Sequence, residues 1–539
     1  MDPAYESRRS AVYAAGGMVA TSQPLAARAG VAILERGGNA ADAAIAAAAA
    51  LAVTEPTSCG LGGDCFAMFY DEQRGRITAL NGSGRAPAAL TIDRVRADGL
   101  KALPTLHGHT VTVPGAVAAF CDLHARHGKT PLADLLAPAI ALADGGFPVA
   151  PITAHFWKLG ADSVLSRSHG GAQLLIDGRA PRPGEMIRNR ALASTLRRIA
   201  ADGAPAFYTG EVAERIVAAV AAAGGALSLD DLEAHASIWQ DPISTVYRGT
   251  RVFECPPNGQ GLTALLALNI LRHRDVASLD PLGADRLHEI IEALRLAFAD
   301  TRYYVADPDA VHVPVRELLG DDYAASRAAL IDRTRALADP VRGTPTGGSN
   351  TVYLTAADAS GNACSLIFSN YMGFGTGIVP DKLGFPLQNR GHGFSLEPDH
   401  PNSLAPRKRP YHTIIPGMAT REDDGSLYAS FGVMGGFMQP QGHVQVVLAL
   451  LDDGLDPQQA LDRPRVCLPA GEAKGLVALE AGIAPSVVDE LRARGHDVAL
   501  VEGHGRAVFG RGQIITRDPE SGVLCGGSDP RADGCAIGL

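Results

Sequence analysis

Gly347-Gly348-Ser349-Asn350-Thr351-Val352-Tyr353-Leu354-Thr355 is the stretch on which the reading of this chain turns. Small, flexible residues precede Thr351 and alternating strand formers follow it, so the pattern predicts a strand over 352–357 that opens at Thr351. Gly361-Asn362 predicts a hairpin turn into a second strand, Ala363 to Phe368, ahead of Phe374-Gly375-Thr376-Gly377. Thr351 then has two readings: an ordinary strand-opening residue, or the point at which the chain is cut. In the second, its hydroxyl attacks the Asn350 carbonyl, passes through an ester and leaves Thr351 with a free α-amine. That amine, with a reference pKa of about 8, takes the hydroxyl proton as a general base, so nucleophile and base share one residue. The β-branch restricts χ1 and helps aim the hydroxyl.

Around this junction the 539 residues carry no low-complexity or charge-run linker and no repeat of fixed period, which favours one large interleaved unit. Helices are predicted at Pro24 to Glu35, Gly115 to His127, Leu132 to Ala143, Ala191 to Ala201, Glu211 to Ala223, Leu287 to Ala299 and Gly442 to Leu451. Strands are predicted at Cys65 to Tyr70, Ile77 to Leu80, Thr413 to Ile415 and Leu427 to Phe431. Ala40 to Val53 is apolar but alanine-dominated and too short for a bilayer, so it is expected as a buried helix. The net charge of -10 argues against nucleic acid as a partner. No membrane association is expected. Met1 to Gly17 lack a basic-then-apolar export pattern, giving a cytoplasmic expectation.

The eight cysteines form no Cys-x-x-Cys pair, and Cys59, Cys65, Cys525 and Cys535 lack ligand spacing; all are expected as reduced, buried thiols. His107-Gly108-His109 and His124-Ala125-Arg126-His127 raise a metal-dependent amidohydrolase as a rival, but no carboxylate-rich motif accompanies them, so neither metal nor cofactor is expected. Asn81-Gly82-Ser83 fits a glycosylation sequon and is read as a turn.

Gly38-Asn39-Ala40-Ala41-Asp42-Ala43-Ala44, Glu55-Pro56, Gly60-Leu61-Gly62-Gly63, the Thr351 segment, Lys408-Arg409-Pro410 and Gly435-Gly436 follow one another as in the γ-glutamyltransferase family. The chain resembles that family from Gly16 to its end, and within it the short, lid-poor branch of oxamate amidohydrolase-like and cephalosporin acylase-like proenzymes. The resemblance implies an α+β fold, a four-layer αββα sandwich of the N-terminal-nucleophile hydrolase type. It also implies self-cleavage between Asn350 and Thr351, giving a large subunit (1–350) and a small one (351–539) that stay together; a homodimer of such heterodimers is left open. It assigns Thr351 as nucleophile, Ser369 as the hydroxyl that orients it, and Gly435 and Gly436 as the oxyanion hole. Glycine backbone suits that last task, because two N–H groups can approach a carbonyl closely.

Where the family grips a substrate α-carboxylate with arginine, this chain has Ser83, with Arg85 two residues on and able to share its face of an extended segment. Where the family holds the α-ammonium with aspartate, it has Gly393, and the paired serines after Lys-Arg-Pro become His412 and Thr413. The resemblance puts Arg390, His392 and His412 around the acyl pocket, a basic set suited to an anionic acyl group without an α-amine. The stretch from Phe394 to Lys408 is too short for a lid, which favours water over an amino-acid acceptor. The expected substrate is a small-molecule amide of oxamate type. Glutaryl or aminoadipyl β-lactam side chains rank second and γ-glutamyl peptides third; an unprocessed scaffold or binding protein is the non-enzymatic alternative.

Overall fold

The computed structural model describes residues 9–340 and 351–539. Asn350 lies outside the described residues, so the bond expected to be cut is described only from its Thr351 side.

The hairpin that starts after Thr351 is the centre of the architecture. Val352–Asp358 and Ala363–Ser369 pair antiparallel with Val352 opposite Phe368 and Ala357 opposite Ala363. Gly361 turns between them at φ +89°, and the Asp358 carboxylate accepts the N–H groups of Ser360 and Asn362. Every residue of both strands is buried. They lie in the middle of a seven-stranded sheet, ordered Cys535–Gly538, Gly17–Thr21, Val352–Asp358, Ala363–Ser369, Asp64–Asp71, Arg76–Gly82, Ile238–Gln240. The second seven-stranded sheet runs Val12–Ala14, Leu524–Ser528, Arg511–Arg517, Leu427–Met434, Gly417–Arg421, Thr250–Glu254, Ile243–Tyr247. Both sheets are antiparallel, and each contains strands from both sides of Asn350.

One helical layer packs on each outer face, which makes the predicted αββα order of an α+β fold. On the hairpin's sheet lies Ala40–Thr54, with all of its residues buried. Asn39 caps it: its side chain accepts the Asp42 N–H while the Asp42 carboxylate accepts the Asn39 N–H. Alanines let Pro24–Glu35 come so close that a Cβ on Gly30 would sit 2.9 Å from the Ala43 carbonyl oxygen. On the other sheet lie Gly261–Arg272 and Met438–Leu451, with Ala284–Tyr304 packed against Gly261–Arg272. Adjacent Ile514 and Ile515 point to opposite faces and join different apolar cores, one under those helices and one between the sheets.

The predicted helices all form, several with longer ends, as in Ala284–Tyr304 and Met438–Leu451. Three expectations are corrected. The run Thr413 to Ile415 is no strand: His412 makes a single bridge to Gly259, Ile415 N–H goes to the Gln439 side chain, and the strand begins at Gly417. Asn81 is not in a turn but ends a strand, buried, with its amide on Asn258. Of the cysteines, Cys121, Cys525 and Cys535 are only half-buried. In the two His-rich motifs His109 meets Asp98 at 2.7 Å, His124 meets the Thr130 carbonyl, and His127 stacks on Phe69. No described helix is long and apolar enough to cross a membrane.

Candidate active site

Thr351 is fully buried where its strand leaves the sheet. Its hydroxyl donates to Ser369 Oγ at 3.1 Å, a residue at the far end of the partner strand that the hairpin register returns to the same edge. Ser369 Oγ also accepts the Tyr371 N–H at 2.8 Å. From the other side Gln439 Nε2 donates to Thr351 Oγ1 at 3.3 Å. The Gln439 amide has one orientation because its Oε1 accepts the Ile415 N–H at 2.9 Å. The Thr351 oxygen is thus held between a hydroxyl that accepts and an amide that donates.

Gln439 stands in the first turn of Met438–Leu451, directly after Gly435-Gly436. These glycines have φ of +135° and +62°, conformations that L side chains rarely adopt. A Cβ on Gly435 would lie 3.1 Å from Gly510 Cα. Among the described residues neither glycine N–H has an acceptor in the chain. The loop itself is fixed: Gln260 Nε2 donates to the Gly436 carbonyl at 2.7 Å and to the Thr413 carbonyl at 2.6 Å. Two N–H groups beside a helix N-terminus form a place where developing negative charge is welcome.

The expected basic set separates into different chemistries. Arg390 is completely buried; one terminal nitrogen donates to Thr413 Oγ1 at 2.7 Å, and its guanidinium carbon lies 4.2 Å above the centre of the Tyr371 ring. Among the described residues its Nε and Nη2 have no hydrogen-bond partner. Burial lowers its pKa to about 10, against the pull of Asp64, so it remains a cation at neutral pH. His412 is also fully buried, but it is neutral. Burial, then the Arg390 charge, push its pKa down to about 4. Its Nδ1 accepts the Ile414 N–H and its Nε2 faces Asp64 Oδ2 at 2.9 Å, so Nε2 carries the proton and donates it. His392 is half-buried, its Nδ1 meeting the Leu103 carbonyl at 2.5 Å, and its ring lies 6.5 Å from that of Tyr371. Arg85 sits in a rim cluster, 2.7 Å from Asp309 and also bonded to the Arg407 carbonyl.

Several residues of this arrangement carry no recognisable sequence signal. Asp64, fully buried, accepts the N–H groups of Gly84 and Gly115 and the Gln388 side chain on one oxygen, and His412 on the other. Burial favours its neutral form, but the His412 bond and the nearby Arg390 charge prevail and hold its pKa below the ordinary value. Asp64 therefore ties Ser83-Gly84 to the His412 wall. It follows directly on Gly60-Leu61-Gly62-Gly63, and a carboxylate directly ahead of the hydrophobic run Cys65 to Tyr70 was the available clue. Gln260 directly precedes one mainly apolar helix and Gln439 stands in the first turn of another, which is the signal they offered.

The family model described as gamma-glutamyltranspeptidase matches residues 26–539. The glutathione hydrolase-like YwrD proenzyme of Bacillus subtilis (strain 168) is 37% identical over 526 residues, spanning 97% of this chain and 98% of that protein. The oxamate amidohydrolase proenzyme of Klebsiella pneumoniae is 36% identical over 531 residues, again spanning 97% and 98%. Among solved structures, cephalosporin acylase from Bacillus halodurans superposes with a TM-score of 0.91 at 47% identity, covering 99% of this chain and 98% of the other.

Proposed function

The chain belongs to the gamma-glutamyltranspeptidase family of N-terminal-nucleophile amidohydrolases and acylases, and from that premise we propose that it is a self-processing threonine hydrolase of amides whose acyl group carries a carboxylate. The observation that carries the substrate class is Arg390. A fully buried cation with two unused donors is costly unless an anion completes it. Its flat fork matches a carboxylate in two parallel hydrogen bonds. His412, being neutral, adds no second charge, and Gly393 offers nothing to an α-ammonium.

In the precursor the Thr351 hydroxyl attacks the Asn350 carbonyl carbon, the peptide nitrogen becomes the α-amine of Thr351, and water cleaves the ester. In the mature form Thr351 Oγ attacks the substrate carbonyl while its proton passes to that α-amine. The oxyanion is received by the N–H groups of Gly435 and Gly436. Collapse breaks the C–N bond, the departing amine takes the proton from the threonine ammonium, and the acyl group remains as an ester. Water, deprotonated by the freed α-amine, then releases the acid. Ser369 and Gln439 hold the oxygen in line throughout.

Small anionic amides of oxamate type are the first reading, supported by the likeness to oxamate amidohydrolase. The glutaryl-type reading is second, supported by the likeness to cephalosporin acylase. Proenzyme relatives support a large fragment, 1–350, and a small one, 351–539, in the mature form. Intact mass spectrometry of wild type and Thr351→Ala tests the processing: fragments ending at Asn350 and beginning at Thr351 are expected from wild type alone. Oxamate, a glutaryl anilide and a γ-glutamyl anilide are then compared as substrates. A clearly higher kcat/KM for the γ-glutamyl compound would overturn the reading of an acyl group without an α-ammonium, and an uncut wild type without amidase activity would leave the scaffold alternative.

A further inference from the structure

Tyr371 has an unusual combination of properties. It is a bulky residue at φ +77°, a backbone region that side chains of its size rarely occupy, and it is buried, with 3% of its surface exposed. Such a conformation persists only where neighbours enforce it. Here they do: the Tyr371 N–H is held by Ser369 Oγ, the Met372 N–H by Asn389 Oδ1 at 3.1 Å, and the Asn389 N–H by the Asn370 carbonyl at 3.2 Å. The turn after Ser369 is therefore stitched to the segment that delivers Arg390.

The same residue faces both halves of the site. Its backbone donates to the Ser369 hydroxyl that accepts the Thr351 hydrogen bond, and the centre of its ring lies 4.2 Å from the Arg390 guanidinium carbon. A guanidinium over an aromatic face is attracted by the ring quadrupole, and the ring also blocks that face from water. With one nitrogen on Thr413, the arrangement leaves Nε and Nη2 as the donors still to be used. We infer that Tyr371 is a positioning and specificity residue: its ring is the platform that holds Arg390 ready for the acyl carboxylate, and its backbone registers that platform to the Ser369–Thr351 pair. The left-handed backbone follows from this double duty, since it lets one residue turn its N–H to Ser369 and its ring to Arg390. The inference rests on the proposed anionic acyl group.

The test is calorimetric binding of glutarate and oxalate, product acids of the two leading substrate readings, to the processed enzyme. Wild type is compared with Tyr371→Asn, Tyr371→Gly, Tyr371→Phe and Arg390→Gln. Asparagine tolerates the left-handed region and glycine relieves it entirely, so both remove the ring without demanding a forbidden backbone. Both should weaken the better-bound acid roughly tenfold, the size expected for a desolvated cation–π interaction. Tyr371→Phe, which keeps the ring, should return affinity to within about threefold of wild type, and Arg390→Gln should abolish binding. Wild-type affinity in both ringless variants, or a phenylalanine variant as weak as they are, would refute the platform while leaving the anionic acyl group standing. No binding of either acid to wild type, or undiminished binding to Arg390→Gln, would remove the proposed acyl group and this inference together.

Discussion

Replacing Arg390 by methionine should separate what this residue does for substrate from what it does to the fold. Its Nε and Nη2 each stand to make one charge-assisted hydrogen bond to a carboxylate, worth about 1.5–3 kcal/mol apiece. After the cost of stripping water from the incoming anion, a net of about 3 kcal/mol is reasonable, or roughly a hundredfold in kcat/KM. An otherwise matched neutral acyl amide should change by less than about threefold, since it never used the charge. The fold should respond in the opposite direction. Burial lowers the Arg390 pKa from 12.5 to about 10, and at about 1.4 kcal/mol per tenfold step this corresponds to about 3 kcal/mol of desolvation left uncompensated. The hydrogen bond to Thr413 and the cation–π attraction to Tyr371, both absent from the variant, offset about 1 kcal/mol each. The methionine variant should therefore be about 1 kcal/mol more stable, with a Tm equal to or slightly above wild type. The assay pairs steady-state kinetics on glutaryl- and butyryl-4-nitroanilide with thermal unfolding of the processed protein. Equal loss on both anilides together with a Tm several degrees lower would show Arg390 to be a structural pillar and refute the reasoning.

Gln439→Leu removes a neutral donor to the Thr351 oxygen; self-cleavage followed by intact mass should slow by up to about tenfold, and an unchanged rate would dismiss the interaction. Gly435→Ala brings a Cβ to 3.1 Å from Gly510 Cα at a positive φ, and as a shifted oxyanion donor should lower kcat by about 10²-fold or more, measured on the same anilides. The kcat/KM profile should rise with pH through about 8, where the Thr351 α-amine loses its proton, and a flat profile from pH 6 to 9 would exclude that amine as the base. Stability should follow pH for a separate reason. The pKa of His412 is about 4 in the folded protein and near 6.5 unfolded, so the unfolded chain binds the proton more tightly. The contribution of keeping His412 neutral is fully present above about 6.5 and lost as pH falls toward 4. His412→Asn should flatten part of that fall in Tm.

What the sequence disclosed was local. The hairpin after Thr351 could be read because its alternation and Gly361-Asn362 turn are complete within twenty residues, and the helix from Ala40 because no other packing suits an alanine run. Gly261–Arg272, buried almost all round, escaped notice because a helix without a polar face has no amphipathic period to detect. Thr413 to Ile415 looked like a strand from its side chains, yet its backbone is claimed by other side chains: Gln260 takes the Thr413 carbonyl, His412 the Ile414 N–H and Gln439 the Ile415 N–H, and the first and last of these are distant in sequence. The charges show the same limit. Arg390, His392 and His412 looked like one basic surface, but burial and the Arg390 charge keep His412 neutral, its proton donated to Asp64, and His392 is spent on the Leu103 carbonyl. Composition gives a side chain's chemistry; only its neighbours give its protonation and its spare bonds.

The position of Val352–Asp358 between Gly17–Thr21 and Ala363–Ser369 has a consequence for the life of the molecule. While Thr351 is still joined to its predecessor, the strand finds its place as part of one chain, and refolding is first order. If the bond is cut as proposed, the same sheet must be rebuilt from two separate pieces, neither of which owns a complete sheet, so recovery becomes second order and fails on dilution. The uncut chain is then the only form that carries its full folding instructions. A form cut as proposed would survive by the height of its unfolding barrier, each molecule denatured after cutting being in practice lost.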